Sequence, residues 1–453
     1  MLDRRSFVWL LFTLSACQAI AASPEAGRKR WTDPAITQRI EAGIEAHRKG
    51  DGTITVLDAA GKPLSGVRLE IEQTGHEFLF GCNAFVLGQL KTAEENRRYE
   101  QAFLRLFNFA TVPFYWEGIE PTQGELRYQE GSRDIWRRPP PDRYLPWAAK
   151  NGITLKGHPL LWHAHNPAWL PKDADALREL YRKRFREIAK RYGDKIPIWE
   201  VANESQVCDK AFPLYSPNRA YVAWAFGEAA PLFPKACRLL INEVTEYNFK
   251  PASQNPYLAQ VKSLLAEKVR VEGVGLQYHF FRRAALDSYL AGQNSDPGKL
   301  LDLYDEFGKL GLPLYITEIT IPSAGPGGEE LQAEVVRNQY RLWFSAGAMA
   351  GITWWNLGDG TAVRGENEAQ GGLVDEAYRP KAAYRVLDEL IHRQWKTRLT
   401  TQTDAQGQAR FRGFYGKYQV KLVHGDVTRS FPIEHTRCGE KTYRLTIASL
   451  DGA

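Results

Sequence analysis

Cysteine is scarce: there are five in 453 residues, and Cys82, Cys208, Cys237 and Cys438 stand far apart once Cys17 is set aside. Neither they nor the nine histidines fall into metal-ligand spacing, so no metal and no organic cofactor is implied. The four scattered cysteines read as small buried hydrophobes, since a core of this size does not need a disulfide. No Gly-x-Gly-x-x-Gly turn follows an early strand, which argues against a dinucleotide site. Blocks of like charge are also lacking. The formal charge of +6 comes from Lys and Arg interleaved with Asp and Glu, a solvated surface and not a nucleic-acid footprint.

At the N-terminus the apolar run from Trp9 to Ala16 is too short to span a bilayer, and Arg4-Arg5-Ser6-Phe7 precedes it. That is the pattern of an export signal over residues 1–22, of either the twin-arginine or the general secretory kind. The expected location is periplasmic or extracellular. Leu14-Ser15-Ala16-Cys17 also matches a lipoprotein processing box, which would acylate Cys17 and anchor the protein to a membrane. Cleavage near Ala21 or Ala22 would instead discard that cysteine.

What is present is ordinary globular composition, 43% apolar and 25% charged, long enough for a catalytic domain and a smaller module. From residue 78 a β-rich run and then a helical stretch alternate. The runs are 78–83, 109–114, 155–162, 196–204, 238–244, 274–279, 314–320 and 352–357, with helical spacing at 175–192, 256–268, 298–310 and 329–350 between them. Eight such units predict an α/β fold, a (β/α)8 TIM barrel over 78–395, with strand ends gathered at one mouth. Residues 23–50 read as a linker and lead-in helix. The β-rich segments 51–77 and 396–453 are expected to pair into one small accessory β-sandwich built from both ends of the chain, its turns marked by 58–63, 404–407 and 424–426.

Two glutamates end apolar runs at that mouth: Glu204 in Trp199-Glu200-Val201-Ala202-Asn203-Glu204 and Glu318 in Ile316-Thr317-Glu318. Glycosidic cleavage requires such a pair, one carboxyl protonated and one ionised. Glu204 is read as the general acid/base and Glu318 as the nucleophile. His279 is positioned to hydrogen-bond the nucleophile and Asn203 to bind a sugar hydroxyl beside the reacting carbon. Trp162, Trp355 and Tyr278 offer flat faces to sugar rings, although only one of Trp354 and Trp355 can face inward. His158, Asn242, Glu243, Gln277 and Asp359 also end strands. For His158 the alternative is a core histidine, and for Glu243 and Asp359 supporting or ordinary loop carboxylates.

Five ordered motifs then carry a resemblance. Gly157-His158-Pro159-Leu160-Leu161-Trp162-His163, Trp199 to Glu204, Gly275-Leu276-Gln277-Tyr278-His279, Ile316 to Ile319 and Gly351-Ile352-Thr353-Trp354-Trp355 resemble those of family 10 glycoside hydrolases, the endo-β-1,4-xylanase family. The likeness extends from about residue 78 to 392. It implies retention through a glycosyl-enzyme intermediate, with acid/base Glu204 and nucleophile Glu318, and sugar-binding or nucleophile-supporting roles for His163, Asn203, Gln277 and His279. It implies a xylan-like polysaccharide or oligosaccharide as the partner molecule. The family's tryptophan after strand two is matched by Trp116, expected at the substrate. The Glu-Asn pair and Lys that usually precede it are replaced by Thr111-Val112-Pro113-Phe114-Tyr115, and Thr361 to Arg364 replaces a tryptophan lid. These departures leave open a different plant glycan or glycoside; the alternative from another class is a carbohydrate-binding protein without turnover, against which the presence of both glutamates argues. Oligomeric state is not encoded in any of these patterns.

Overall fold

The computed structural model describes residues 24–293 and 295–447; the export-signal segment and Cys17 lie outside them. The strands are β1 (Lys49–Leu57), β2 (Arg68–His76), β3 (Leu79–Asn83), β4 (Phe109–Pro113), β5 (Thr154–His158), β6 (Ile198–Asn203), β7 (Arg238–Glu243), β8 (Gly273–His279), β9 (Leu314–Thr320), β10 (Met349–Trp354), β11 (Arg398–Gln402), β12 (Gln408–Phe414), β13 (Gly416–His424), β14 (Val427–His435) and β15 (Thr442–Thr446). Strands β3 to β10 close into a parallel barrel, β10 pairing with both β9 and β3. Helices between the strands cover its outside, so β4, β6 and β9 are buried at every position. This double coverage explains why they read as continuous apolar runs.

Alternation along each strand sorts the barrel wall. Inside, Phe109, Ile198, Leu240 and Tyr315 plug the N-terminal end. Outside, Trp199, Val201 and Tyr278 join the large core beneath the helices. The third barrel strand stops at His158, four residues short of the expected end. Pro159 follows and has no N–H for the ladder, and the chain rejoins β6 through the Leu160 N–H on the Glu200 carbonyl and an isolated bridge between Leu161 and Ala202. Trp162 and His163 therefore lie on a loop. The helix expected over 329–350 spans Gly328–Ser345, because Met349 already begins β10.

The lead-in helix Pro34–Arg48 is capped by Asp33, whose carboxylate accepts from Ala35 N at 2.8 Å. It docks closely on the helix Gly328–Ser345: a Cβ at Gly43 would stand 2.6 Å from the Ser345 carbonyl oxygen. Arg48 donates to the carbonyls of Phe344 and Ala346, both at 2.5 Å, satisfying acceptors that a helix C-terminus leaves open.

Both ends of the chain then build two small sheets, ordered β12-β1-β15 and β11-β2-β13-β14. Their facing sides bury Ile54, Val56, Leu69, Ile71, Val420 and Leu422. The 58–63 turn forms, with Asp58 accepting from Ala60 N and Lys62 N at 2.9 and 2.8 Å. The strands it joins enter different sheets, so it crosses the sandwich and does not close a hairpin.

Candidate active site

Irregular strand register sets the mouth. Along β8 and β9, Leu276 faces Ile316 but the next residue, Gln277, faces Glu318, so Thr317 is an extra residue. A bulge of this kind re-aims side chains. Thr317 Oγ1 donates to Asn242 Oδ1 at 2.6 Å, and Asn242 Nδ2 donates to Glu318 Oε1 at 3.0 Å. Strand β6 is similarly irregular between Glu200 and Ala202. Just past its end, Glu204 adopts φ 55°, ψ 44°, with its N–H on the Asn242 carbonyl at 3.0 Å. A left-handed non-glycine residue costs of the order of 1–3 kcal/mol and persists where its surroundings impose it.

The two glutamates share one amide. Gln277 Nε2 donates to Glu204 Oε1 at 2.8 Å and to Glu318 Oε1 at 3.2 Å. Laid end to end those bonds limit the separation of the two oxygens to at most about 6.0 Å. Glu204 Oε2 also accepts from Trp162 Nε1 at 3.1 Å. Glu318 Oε2 lies 3.2 Å from His279 Nε2, and His279 Nδ1 lies 2.9 Å from the Thr320 hydroxyl. Burial lowers the His279 pKa to about 4, so the ring is neutral. With the Thr320 hydroxyl donating to Nδ1, the ring hydrogen sits on Nε2 and points at Glu318; this tautomer follows from the bonding pattern.

Burial raises both carboxyls to about 7, with the negative charge of Glu318 pushing Glu204 further up. Both carboxyls therefore stand well above the usual carboxylate range, chiefly because they are buried. Glu318 accepts from three groups and Glu204 from two, so Glu318 is the better site for the charge. Asn203 Oδ1 is occupied by Asn242 Nδ2 at 3.0 Å, leaving the Asn203 amide N–H groups as donors to the cleft.

Beneath this pair lies a buried charge cluster. Lys156 Nζ is 2.9 Å from Glu200 Oε2, and His158 Nδ1 is 2.7 Å from Glu200 Oε1. Burial disfavours the Glu200 charge, yet His158 and Lys156 outweigh it and hold the carboxyl near 2. On its other side His158 Nε2 meets the Tyr115 hydroxyl at 3.2 Å. His158, Glu200 and Glu318 place donor atoms within 4.8 Å of one another, a spacing a metal could bridge. Lys156 already supplies the cation beside Glu200, and that donor set does not call for an ion.

The structure brings Glu204, Glu318, Gln277, His279, Asn203 and Trp162 together. Trp355 also faces the mouth, clustered with Phe85 and Tyr115 beside His158 and His279. Two expected sugar contacts are corrected. Tyr278 is fully buried on the outer wall, its hydroxyl accepting from Gln339 Nε2 at 2.8 Å, because its neighbours Gln277 and His279 take the inward positions. Trp116 is buried as deeply as Trp355, but among different neighbours. It packs against Tyr181 and Trp169 with Nε1 on Glu120 at 3.0 Å, because the chain turns into a short helix there and carries it away from the cleft. His163 contacts the Trp162 ring, and its buried Nδ1 has no partner among the described residues. Burial lowers its pKa to about 4.

Glu243 turns away from the pair and accepts from Gln206 N at 2.8 Å and Ser205 Oγ at 3.2 Å, holding the loop after Glu204. Asp359 pairs with Lys381 at 2.8 Å and anchors the last loop. Sequence reasoning passed over Lys156, Glu200, Thr317 and Thr320. The available signal was a charged residue in the middle of an apolar barrel run, where charge survives only if paired.

The fold and site define a (β/α)8 barrel with a buried carboxylate pair at the C-terminal ends of its strands, where barrel enzymes carry their active sites. The chain belongs to glycosyl hydrolase family 10, whose model matches residues 82–390. Among curated relatives, anti-sigma-I factor RsgI6 of Acetivibrio thermocellus is 27% identical over 407 residues, covering 87% of this chain and 47% of that protein. Endo-1,4-beta-xylanase B of Thermotoga neapolitana is 25% identical over 319 residues, covering 66% of this chain and 85% of that protein. The chain thus spans about half the length of the anti-sigma factor, and only 28% of endo-1,4-beta-xylanase B of Neocallimastix patriciarum. Xylanase 10B from Thermotoga petrophila, solved with xylobiose, shares the fold at TM-score 0.58 and 22% identity, covering 70% of this chain and 95% of that one.

Proposed function

We propose that this protein is an exported, retaining glycoside hydrolase that cleaves β-1,4-xylosidic bonds in xylan, with Glu318 as nucleophile and Glu204 as acid/base. The observation that carries the reading is the Gln277 amide bonded to both carboxyls, which keeps one oxygen of each within about 6.0 Å of the other. That agrees with the about 5–5.5 Å of retaining enzymes better than the about 6.5–9.5 Å that accommodates a water in inverting ones. Xylan is favoured by the names of the xylanase relatives.

The ionised Glu318 attacks the anomeric carbon while Glu204 gives its proton to the departing glycosidic oxygen. A covalent ester forms and the aglycone leaves as an alcohol. The ester carries no charge, so the push on Glu204 disappears and its carboxylate becomes the base that removes a proton from water. Water oxygen then attacks the anomeric carbon, the ester bond breaks and Glu318 is released ionised. Asn242, Gln277 and His279 hold the Glu318 charge before attack and after its release from the ester, and the Asn203 N–H groups suit a sugar hydroxyl.

Glu318→Ala should abolish turnover, with added azide yielding the inverted glycosyl azide. Glu204→Ala should lose activity on natural glycans but retain much of it on aryl glycosides with good leaving groups, which need little protonation. Equal loss on both substrate kinds contradicts the Glu204 role, and no release from any xylan refutes the substrate. A second reading, a different plant glycan, is favoured by Tyr115, whose hydroxyl rests on His158 where the family usually presents a lysine. A product profile on xylan, mixed-linkage glucan and aryl glycosides separates the two.

A further inference from the structure

Next to Tyr115, outside the machinery described above, lies a cavity of about 400 Å³ lined by Glu117, Trp136, Arg137, Arg138, Asn166 and Val363 among others. Two features mark it. Trp136 is 48% exposed and Val363 43%, an indole and an aliphatic face left to solvent on opposite loops. Arg138, by contrast, is a largely buried cation without a carboxylate partner among the described residues. Its guanidinium lies 4.0 Å from the centre of the Tyr115 ring, and its one hydrogen bond among the described residues runs from Nη1 to the Arg137 carbonyl at 2.9 Å.

The surrounding charges do not neutralise Arg138. Glu117 is bonded to His165 Nδ1 at 2.5 Å, and Glu366 accepts from Asn356 Nδ2 at 2.9 Å. Arg137 turns its Nη1 to Asn356 Oδ1 at 2.8 Å. Burial lowers the Arg138 pKa, the mark of a charge kept from water without full compensation. The position is built, not incidental: a Cβ at Gly118 would come within 2.9 Å of the Arg138 side-chain carbons, so this stem packs where glycine alone leaves room. A guanidinium offers five N–H donors in a fork that matches a carboxylate, and a stacked one is already oriented.

We propose that this cavity recognises a carboxylate-bearing sugar of the glycan, a uronic acid residue, with Arg138 pairing its carboxylate and Trp136 stacking on its ring. Through Tyr115, which carries Arg138 on its face and His158 on its hydroxyl, the acidic sugar sits next to the reacting centre. The enzyme therefore prefers acid-substituted to neutral chains.

This inference rests on the xylan reading, and the test separates the two. Binding is measured by calorimetry on the Glu318→Gln protein, with a xylo-oligosaccharide bearing one glucuronosyl branch and with its carboxyl-reduced, glucosyl-branched counterpart. The acid form should bind about tenfold more tightly, the worth of one charge-assisted fork, and added salt should erode that preference. Arg138→Gln should bring the ratio to about one while leaving the neutral ligand's affinity unchanged; Arg138→Lys should recover part of the preference, and Trp136→Ala should weaken both ligands. Equal binding of the two, or an acid preference that survives Arg138→Gln, overturns the inference alone. Binding of neither overturns the xylan reading and the inference with it.

Discussion

Replacing Glu318 with glutamine should lower the pKa of Glu204, and the size of the fall follows from the geometry. Glu204 stands near 7 because burial raises it and because the charge of Glu318 adds to that. With the nearest oxygens at most about 6.0 Å apart, two unit charges in a medium of effective dielectric about 20 repel by about 3 kcal/mol, or about 2 pH units. Glutamine preserves the hydrogen bonds: its Oε1 accepts from Asn242 and Gln277, and its Nε2 donates to His279 once that ring shifts its hydrogen to Nδ1. Only the charge is removed, so Glu204 should titrate near 5, still held up by burial. The assay is carbon-13 NMR of the glutamate carboxyls in native and Glu318→Gln protein, with Glu204→Gln assigning the resonance. A Glu204 titration that stays near 7, or moves upward, would refute the claim that Glu318 is the charged member of the pair. On the proposed roles kcat/KM should fall in acid, as Glu318 takes a proton, and in base, as Glu204 loses its own.

Gln277→Ala removes the donor common to both carboxyls and should lower kcat about 10²–10³-fold on xylo-oligosaccharides in steady-state assays; a loss under tenfold would show that the shared amide is dispensable. Lys156→Met leaves the buried Glu200 charge half-compensated and should cost about 3–5 kcal/mol in urea unfolding. Because the folded Glu200 pKa is depressed to about 2, its contribution is fully present above the unfolded value of about 4.3 and is lost as pH falls toward 2. The stability gap between native protein and Lys156→Met should therefore narrow in acid. Tyr278→Phe should leave kcat/KM within about twofold while costing about 1 kcal/mol of stability, since its hydroxyl serves Gln339 and not a sugar; a large kinetic effect would return Tyr278 to the cleft. Truncation after Trp395 removes both neighbours of β2 and of β1 and exposes Leu69, Ile71 and Val56, so the product should aggregate, as light scattering would reveal.

The barrel was legible because parallel strands covered on both faces read as bounded apolar runs, and the sandwich because its strands alternate. Glu204, Asn203, Gln277 and His279 were legible as polar residues ending such runs. Tyr278 was misplaced for want of a phase: in Gln277-Tyr278-His279 an aromatic and two polar groups compete for the inside, and the polar pair takes it because Glu318 is there to be served. Trp116 failed for a different reason, a one-turn helix that composition does not announce.

The bulge at Thr317 was the least visible element and it decides the most. Strict alternation would send Thr317 and Glu318 to opposite faces of β9, and a run such as Leu-Tyr-Ile-Thr-Glu-Ile-Thr gives no sign that the register slips. In the structure Thr317 fixes Asn242, Asn242 holds both Asn203 and Glu318, and Thr320, back in phase, orients His279. Of the three side chains that hold Glu318, Asn242 is thus fixed by the inserted Thr317 and His279 by Thr320. Residue types identify the chemistry that a mouth of this kind can perform; the register of β9 against β8 and β10 determines which side chains meet around Glu318.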